Sequence, residues 1–153
     1  MNWIIRDSDK LWYHTNLKEL VKPFYNELGN YNWVLSDLDF ISDTTDLPIN
    51  FDQDYFILSS SEFERLVSAD MQIIWGAIVA VPKELPLSLN ADTLPYVEGN
   101  DKIWENGNLQ LPYAEIEIDC FDSSYTIIKF TSGRVSNQFK EYFPEAIELE
   151  KFK

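Results

Sequence analysis

The longest apolar run in the chain, Met71–Val81, most restricts the folds that the sequence can adopt. Its Ile, Val and Trp residues stand at consecutive rather than alternate positions. This pattern is typical of a strand in the middle of a sheet that is covered on both faces. The run is shorter than the roughly 20 apolar residues that a membrane-spanning helix requires, and Gln72 interrupts it. The sequence therefore predicts a central strand that ends at Pro82, and no integral membrane segment.

The last third of the chain predicts a β-hairpin followed by a helix and a strand. Polar and apolar residues alternate over Ala114–Asp119, and Tyr125–Phe130 forms the second strand after a polar turn. Thr131 or Ser132 can cap the helix, and a last short strand is predicted at Ala146–Leu149. The order of this unit is strand, strand, helix, strand.

Two glutamates, Glu115 and Glu117, share one face of the first hairpin strand. Since Ile116 and Ile118 lie on the other face, the alternation predicts that the acids face solvent. Paired carboxylates also catalyse glycoside hydrolysis, so the same two residues are candidates for a hydrolytic site.

The beginning of the chain predicts one helix and one strand. The helix contains Leu17–Phe24, begins after Thr15 or Asn16, and is kinked or ended early by Pro23. Residues then alternate over Tyr31–Leu38, as in a half-buried strand.

A second strand and helix are predicted before the central strand. Tyr55–Leu58 has the apolar character of a short strand. Ser60 or Ser61, followed by Glu64, is typical of a capping box at the start of a helix.

The order of the elements indicates the fold class. Between Lys83 and Pro112, frequent Pro, Gly and Asn predict a long irregular connection. Strands and helices that do not alternate regularly favour an α+β fold, with a mainly antiparallel sheet and about three helices on one face. A length of 153 residues fits one domain.

The segment Ser36–Asp54 is strongly acidic. It contains six aspartates and neither Lys nor Arg, and Pro48 and Asn50 favour turns. We interpret it as a long acidic loop that, with two neighbouring aromatic residues, binds a partner. The predicted partner-binding residues are Asp37, Asp39, Asp43, Asp46, Asp52, Asp54, Trp33 and Tyr55. Trp33 and Trp75 also fit the strand pattern of core residues.

The net charge of −14 restricts the partners that the protein can have. It repels nucleic acid and anionic lipid, and it favours a basic protein partner, although acidity also keeps a protein dissolved. The first residues contain neither a basic leader nor a long apolar run, so we expect a cytoplasmic protein.

The motifs of common cofactor sites are missing from the sequence. The five glycines form no phosphate-binding pattern, and one Cys with one His cannot build a zinc site, so no cofactor is predicted. Cys120 is interpreted as a core or strand residue, and His14 as a surface or capping residue. The pairs Asp37/Asp39 and Asp52/Asp54 offer oxygen ligands, but the spacing of a calcium loop is absent.

Three runs resemble a family of short uncharacterised bacterial proteins: Leu20–Phe24, Asn30–Trp33 and Ile78–Lys83. The resemblance covers about the first half of the chain. Because it includes no catalytic motif, it implies no catalytic residue.

Small acidic α+β proteins of this kind are similar in general character to immunity proteins of bacterial toxin systems, which cover the active surface of a basic toxin domain. The hypothesis that follows is a non-enzymatic binding protein. The alternatives are a small carboxylate- or metal-dependent hydrolase and a self-associating structural or regulatory subunit.

Overall fold

A seven-stranded antiparallel sheet forms the centre of the computed structural model, which describes residues 2–11, 13 and 15–152. Its strands are β1 (Asn2–Ile5), β2 (Tyr31–Ser42), β3 (Tyr55–Leu58), β4 (Met71–Pro82), β5 (Ile116–Phe121), β6 (Tyr125–Phe130) and β7 (Ile147–Glu148). Across the sheet they follow the order β3-β2-β4-β5-β6-β1-β7, and each neighbouring pair is antiparallel. The predicted central strand is confirmed as β4. Trp12 and His14 lie outside the described residues.

The helices lie between these strands, except for the last one, which follows β7. They are α1 (Leu17–Leu20), α2 (Ser60–Ser68), α3 (Gly133–Tyr142) and three 3₁₀ helices (Lys22–Asn30, Asp101–Trp104 and Leu149–Lys151). The predicted α+β class is therefore confirmed, as is the C-terminal order of β5, β6, α3 and β7. Among the described residues, no helix is long and apolar enough to cross a bilayer.

One face of the sheet is covered by helices. Buried side chains from α1, α2, α3 and the first 3₁₀ helix, such as Leu20, Phe24, Phe63 and Phe139, pack against it. Burial of such large apolar side chains stabilises the fold by roughly 1.5–3 kcal/mol each.

The opposite face is covered by the long connection between β4 and β5. Leu85, Leu87 and Leu89 lie half-buried against the sheet, while Val97 and Ile103 further along are fully buried. An irregular segment, together with Leu149 and Phe152 near the end of the chain, thus covers this sheet face, which explains why β4 is apolar on both sides.

The first predicted helix ends early, as expected from Pro23: α1 has four residues, and a 3₁₀ helix follows with Pro23 at its start, where the missing backbone N–H is tolerated. One prediction about the helices needs correction. The cap of α2 is Ser59, not Ser60 or Ser61. Its Oγ accepts the N–H of Glu62, whose carboxylate in turn accepts the N–H of Ser59.

Two predictions about the strands need correction as well. Strand β1 was not predicted, because all four of its residues are buried and show no alternation. Strand β2 continues to Ser42, so Asp37 and Asp39 lie on a strand and only the remainder of the acidic segment forms a loop.

The face of the hairpin that was predicted to meet solvent is also different. Glu117 and Asp119 are fully buried, because the connection between β4 and β5 lies over them. Alternation correctly identified the residues that share a face, but that face is covered.

Candidate functional site

A β-bulge in β2 determines the geometry of the candidate site. Ser36 pairs with Ala77 and Asp39 with Trp75, so that two residues of β2, Asp37 among them, stand opposite Gly76. Asp37 has a left-handed backbone with φ of 58°. Such bulges turn side chains away from the regular pleat and are frequent beside functional sites.

The bulge holds a distant part of the chain against the strand. Asp37 Oδ2 accepts the backbone N–H of Val97 at 3.0 Å and that of Glu98 at 3.3 Å. Ser36 Oγ donates to the carbonyl oxygen of Pro95. These contacts place residues 95–98 beside β2.

A cavity of about 630 Å³, which we call the bulge cavity, lies between β2, residues 95–98 and the loop before β3. Its size is in the usual range of ligand pockets. Five aromatic residues line it: Phe40, Phe51, Phe56, Trp75 and Tyr96.

Four carboxylates accompany these rings, those of Asp37, Asp39, Asp54 and Glu98. None of the described residues that line the cavity is Lys, Arg or His. Within the described ranges, no cation stands at ion-pair distance from Asp39, Asp54 or Glu98. The bulge cavity is therefore negative and aromatic.

The structure brings together only part of the predicted partner-binding set. Asp37, Asp39 and Asp54 line the bulge cavity. Asp43, Asp46 and Asp52 are exposed elsewhere on the acidic loop. Asp46 lies 4.0 Å from Arg65, in an exposed pair that contributes little to stability.

The two aromatic residues of that set lie outside the cavity lining. Trp33 is fully buried and stacks on Phe63 with ring centroids 3.9 Å apart. It belongs to the core, as its strand pattern indicated, so its prediction as a partner-binding residue is wrong. Tyr55 is half-buried on β3.

Sequence reasoning missed the other walls of the cavity. Tyr96 and Glu98 come from the irregular connection, whose residues contain no local sign that they meet β2. Trp75 was expected in the core, but it is half-buried, packs edge-on against Phe121 and lines the cavity. Its position next to Gly76 is the signal that could have indicated this, because a glycine inside a strand often marks a bulge or a close approach.

A second unusual feature is a group of buried ionisable side chains, Glu117, Asp119 and Lys129, which we call the buried charge cluster. Glu117 and Lys129 are directly opposite each other on β5 and β6, and Asp119 is two residues further along β5. Lys129 Nζ donates to the carbonyl oxygen of Asn108 at 2.7 Å.

Gln110 connects the cluster to the covering segment. Its backbone N–H and its side-chain amide donate to the two oxygens of Glu117, at 2.7 and 3.0 Å, and the amide also approaches Asp119 Oδ1 at 3.4 Å. Asp119 Oδ2 has no hydrogen-bond partner among the described residues.

The burial of this cluster changes its protonation. Desolvation, followed by the neighbouring charge and hydrogen bond of Glu117, raises the pKa of Asp119 well above its ordinary value. Desolvation also lowers the pKa of Lys129, which the two acids partly oppose. Both effects disfavour charge in a dry interior.

The structure also places the remaining candidates for chemistry. Cys120 is fully buried on β5, as predicted for a core or strand residue, and burial raises the pKa of its thiol. Glu117 is enclosed, so a substrate has no access to the proposed hydrolytic pair of Glu115 and Glu117. In the part of the chain that is described, no group of three or more His, Cys, Asp or Glu side chains could hold a metal ion.

Comparison of the chain with protein-family models, curated proteins and solved structures found no match in any of the three.

Proposed function

We propose that the protein is a non-enzymatic binding protein whose bulge cavity receives an arginine side chain of a basic protein partner. The observation that supports this is the composition of the cavity: carboxylates beside aromatic rings, and no cation among the described lining residues. A guanidinium group pairs with carboxylates and also stacks on aromatic faces, so it matches both kinds of wall.

The carboxylates have different roles in this proposal. Asp37 is engaged by two backbone N–H groups and shapes the cavity. Asp39 and Asp54 are exposed and supply the charge that meets the cation.

The net charge of −14 supports a basic partner. A field of this size accelerates encounter with a cationic protein by 10-fold or more at low salt. The similarity in general character to immunity proteins leads us to propose a basic toxin domain as that partner.

The cavity is tested with N-acetyl-arginine amide, using N-acetyl-citrulline amide as the neutral control of the same shape. We expect weak binding, with a dissociation constant on the order of 1 mM, since the probe is a single side chain. The backbone amide NMR signals of Trp75, Tyr96 and Phe51, and the indole N–H signal of Trp75, should shift when the arginine probe is added and stay in place with the citrulline probe.

Two double variants separate the cavity from overall charge. Asp39→Asn with Asp54→Asn should abolish the arginine-dependent shifts. Asp43→Asn with Asp52→Asn also removes two negative charges, but outside the cavity, so the arginine-dependent shifts should remain in this variant. Equal loss in both variants, or equal shifts with citrulline, would show that the cavity is not the binding site.

The same variants test the partner class. A basic protein captured at low salt by the wild type and by the Asp43/Asp52 variant, but not by the Asp39/Asp54 variant, fits the proposal. If that protein is toxic to cells by itself and harmless when this chain is co-expressed, the immunity function is supported. Capture that is indifferent to Asp39 and Asp54 contradicts the role of the cavity.

A further inference from the structure

The buried charge cluster has an unbalanced charge when all of its groups are ionised. Glu117 and Asp119 then contribute two negative charges, and Lys129 contributes one positive charge. All three residues are fully buried, so one negative charge would stay uncompensated in a dry interior. A single proton on Asp119 makes the cluster neutral, which removes the main cost of burial.

The hydrogen bonds around Asp119 fit such a proton. Its Oδ2 has no partner among the described residues, and the side-chain amide of Gln110 contacts both Asp119 Oδ1 and Glu117 Oε1, so the two carboxyl groups lie side by side. Two carboxylates have no proton to share, whereas a protonated Asp119 can donate to Glu117. Protonation thus turns a repulsive contact into an attractive one.

Residues 96–110, which we call the cover, are attached to this cluster through Gln110 and through the carbonyl oxygen of Asn108, which accepts from Lys129. Gln110 makes the contacts with the two acids. Its side-chain oxygen accepts the N–H of Tyr96 at 2.9 Å and the amide of Asn100 at 3.0 Å. Its donors bind Glu117 and Asp119. One amide therefore connects the protonation of the cluster with the segment that contributes Tyr96 and Glu98 to the bulge cavity.

We propose that the cover is proton-linked: it is closed while Asp119 retains a proton shared with Glu117, and it opens with release of that proton to solvent. When the cover opens, water reaches the cluster and Asp119 ionises as an ordinary exposed carboxyl. Closing takes one proton back from solvent, so a rise in pH favours the open form.

Burial of Asp119 sets the direction of this effect, and the groups around it modify it. Glu117 on β5 raises its affinity for the proton, while Lys129 on β6 lowers it. Glu105, on the cover itself, acts on Lys129 and stabilises the cation there. Gln110 is neutral and stabilises the ionised form of Asp119 only in part.

Amide hydrogen exchange of Gln110 and Tyr96, followed by NMR from pH 5 to pH 8, tests the proposal. The protection factor is the intrinsic exchange rate divided by the observed rate. It should fall about tenfold per pH unit over the range in which the closed form holds one more proton than the open form. Gln110 should also exchange faster than the slowest amides of β4, because the cover opens without unfolding the sheet.

The variant Asp119→Asn removes the titrating group and keeps a donor toward Glu117. In this variant the protection of the Gln110 and Tyr96 amides from exchange should therefore not depend on pH. Asp122→Asn is the matched control, since Asp122 is exposed in the turn of the same hairpin. It should behave like the wild type.

The proposal is overturned by protection in the wild type that is constant with pH, or by the same pH dependence in Asp119→Asn. Exchange of Gln110 at the rate of the most protected β4 amides would also overturn it, since only global unfolding would then expose the cluster. The ¹³C carboxyl signal of Asp119 gives an independent reading, because titration near pH 4 would mean that no proton is retained. None of these outcomes depends on the proposed arginine site.

Discussion

Asp37 accepts the backbone N–H of Val97 at 3.0 Å, although the two residues are 60 positions apart in the chain. A second bond, from the N–H of Glu98, goes to the same oxygen. The carboxylate therefore fixes the wall of the bulge cavity that the irregular connection provides. Hydrogen bonds to an ionised acceptor are stronger than neutral ones.

Replacement of Asp37 should loosen this wall more than it destabilises the whole protein. We expect Asp37→Ala to lower the free energy of unfolding by about 1 kcal/mol and to speed exchange of the Val97 and Glu98 amides. Asp37→Asn should have a smaller effect, because Asn tolerates the left-handed backbone and keeps an acceptor oxygen. Urea unfolding and amide exchange measure the two effects, and unchanged exchange in Asp37→Ala would contradict the anchoring role.

Changing Trp33 to alanine should mainly reduce stability, whereas changing Phe51 to alanine should mainly weaken binding of the arginine probe. Trp33 is fully buried on Phe63, so Trp33→Ala should cost about 3–5 kcal/mol in urea unfolding. Phe51 is 57% exposed at the cavity, so Phe51→Ala should cost less than 1 kcal/mol but weaken binding of the arginine probe. A small loss of stability in Trp33→Ala would contradict its assignment to the core.

Local patterns were sufficient to predict most of the sheet. The unbroken apolar run identified β4, and strict alternation with a polar turn identified β5 and β6. These signals depend on neighbours within a few residues. The four residues of β1 were missed because a short, fully buried strand has no alternation to recognise.

The candidate site depends on contacts that no local pattern contains. The cavity requires residues 95–98 to lie beside the bulge, and the sequence of the connection shows only that it is irregular. Glu117 shows the same limit. Its alternation with Ile116 defines a face, while the segment that covers this face comes from earlier in the chain.

Lys129 should be essential to the buried charge cluster in a pH-dependent way. Lys129→Met removes the positive charge of the cluster, opposite Glu117 on the neighbouring strand, and leaves Glu117 buried without compensation, so we expect a loss of about 3–5 kcal/mol near neutral pH. Lys129 lowers the pKa of Asp119, so its removal raises that pKa further. A carboxyl whose pKa is raised in the fold contributes stability below its unfolded pKa, and that stability falls as the pH rises toward the folded value.

The stability of the variant should therefore go on falling to a higher pH than that of the wild type, so the loss caused by the substitution should be smaller at pH 5 than at pH 8. Urea unfolding at both values measures this, since urea does not screen charges as guanidinium chloride does. A double variant, Lys129→Met with Glu117→Gln, leaves a neutral cluster once Asp119 is protonated, and it should recover part of the loss. An equal cost at both pH values, or no recovery, would argue against a charge imbalance as the cause.

Gly76 stands opposite the bulge because there is no space for a side chain. A Cβ atom there would come within 2.5 Å of Leu38 Cδ2 and 3.2 Å of Ile73 Cγ2. We expect Gly76→Ala to cost about 1–3 kcal/mol, since Leu38 must move. It should also perturb the NMR signals of Trp75, the next residue and part of the cavity wall.

Shortening Leu38 tests this cause directly. If the clash is with its side chain, Leu38→Ala and Gly76→Ala combined should destabilise the protein by less than the sum of the single changes. Gly29→Ala is the control, because no atom of the described residues, apart from those of its chain neighbours and its own helix, lies within 4 Å of a Cβ there, and it should leave stability unchanged or raise it by about 0.4–1 kcal/mol. Strictly additive costs for Leu38 and Gly76 would mean that the backbone of the bulge, and not the contact with Leu38, requires glycine.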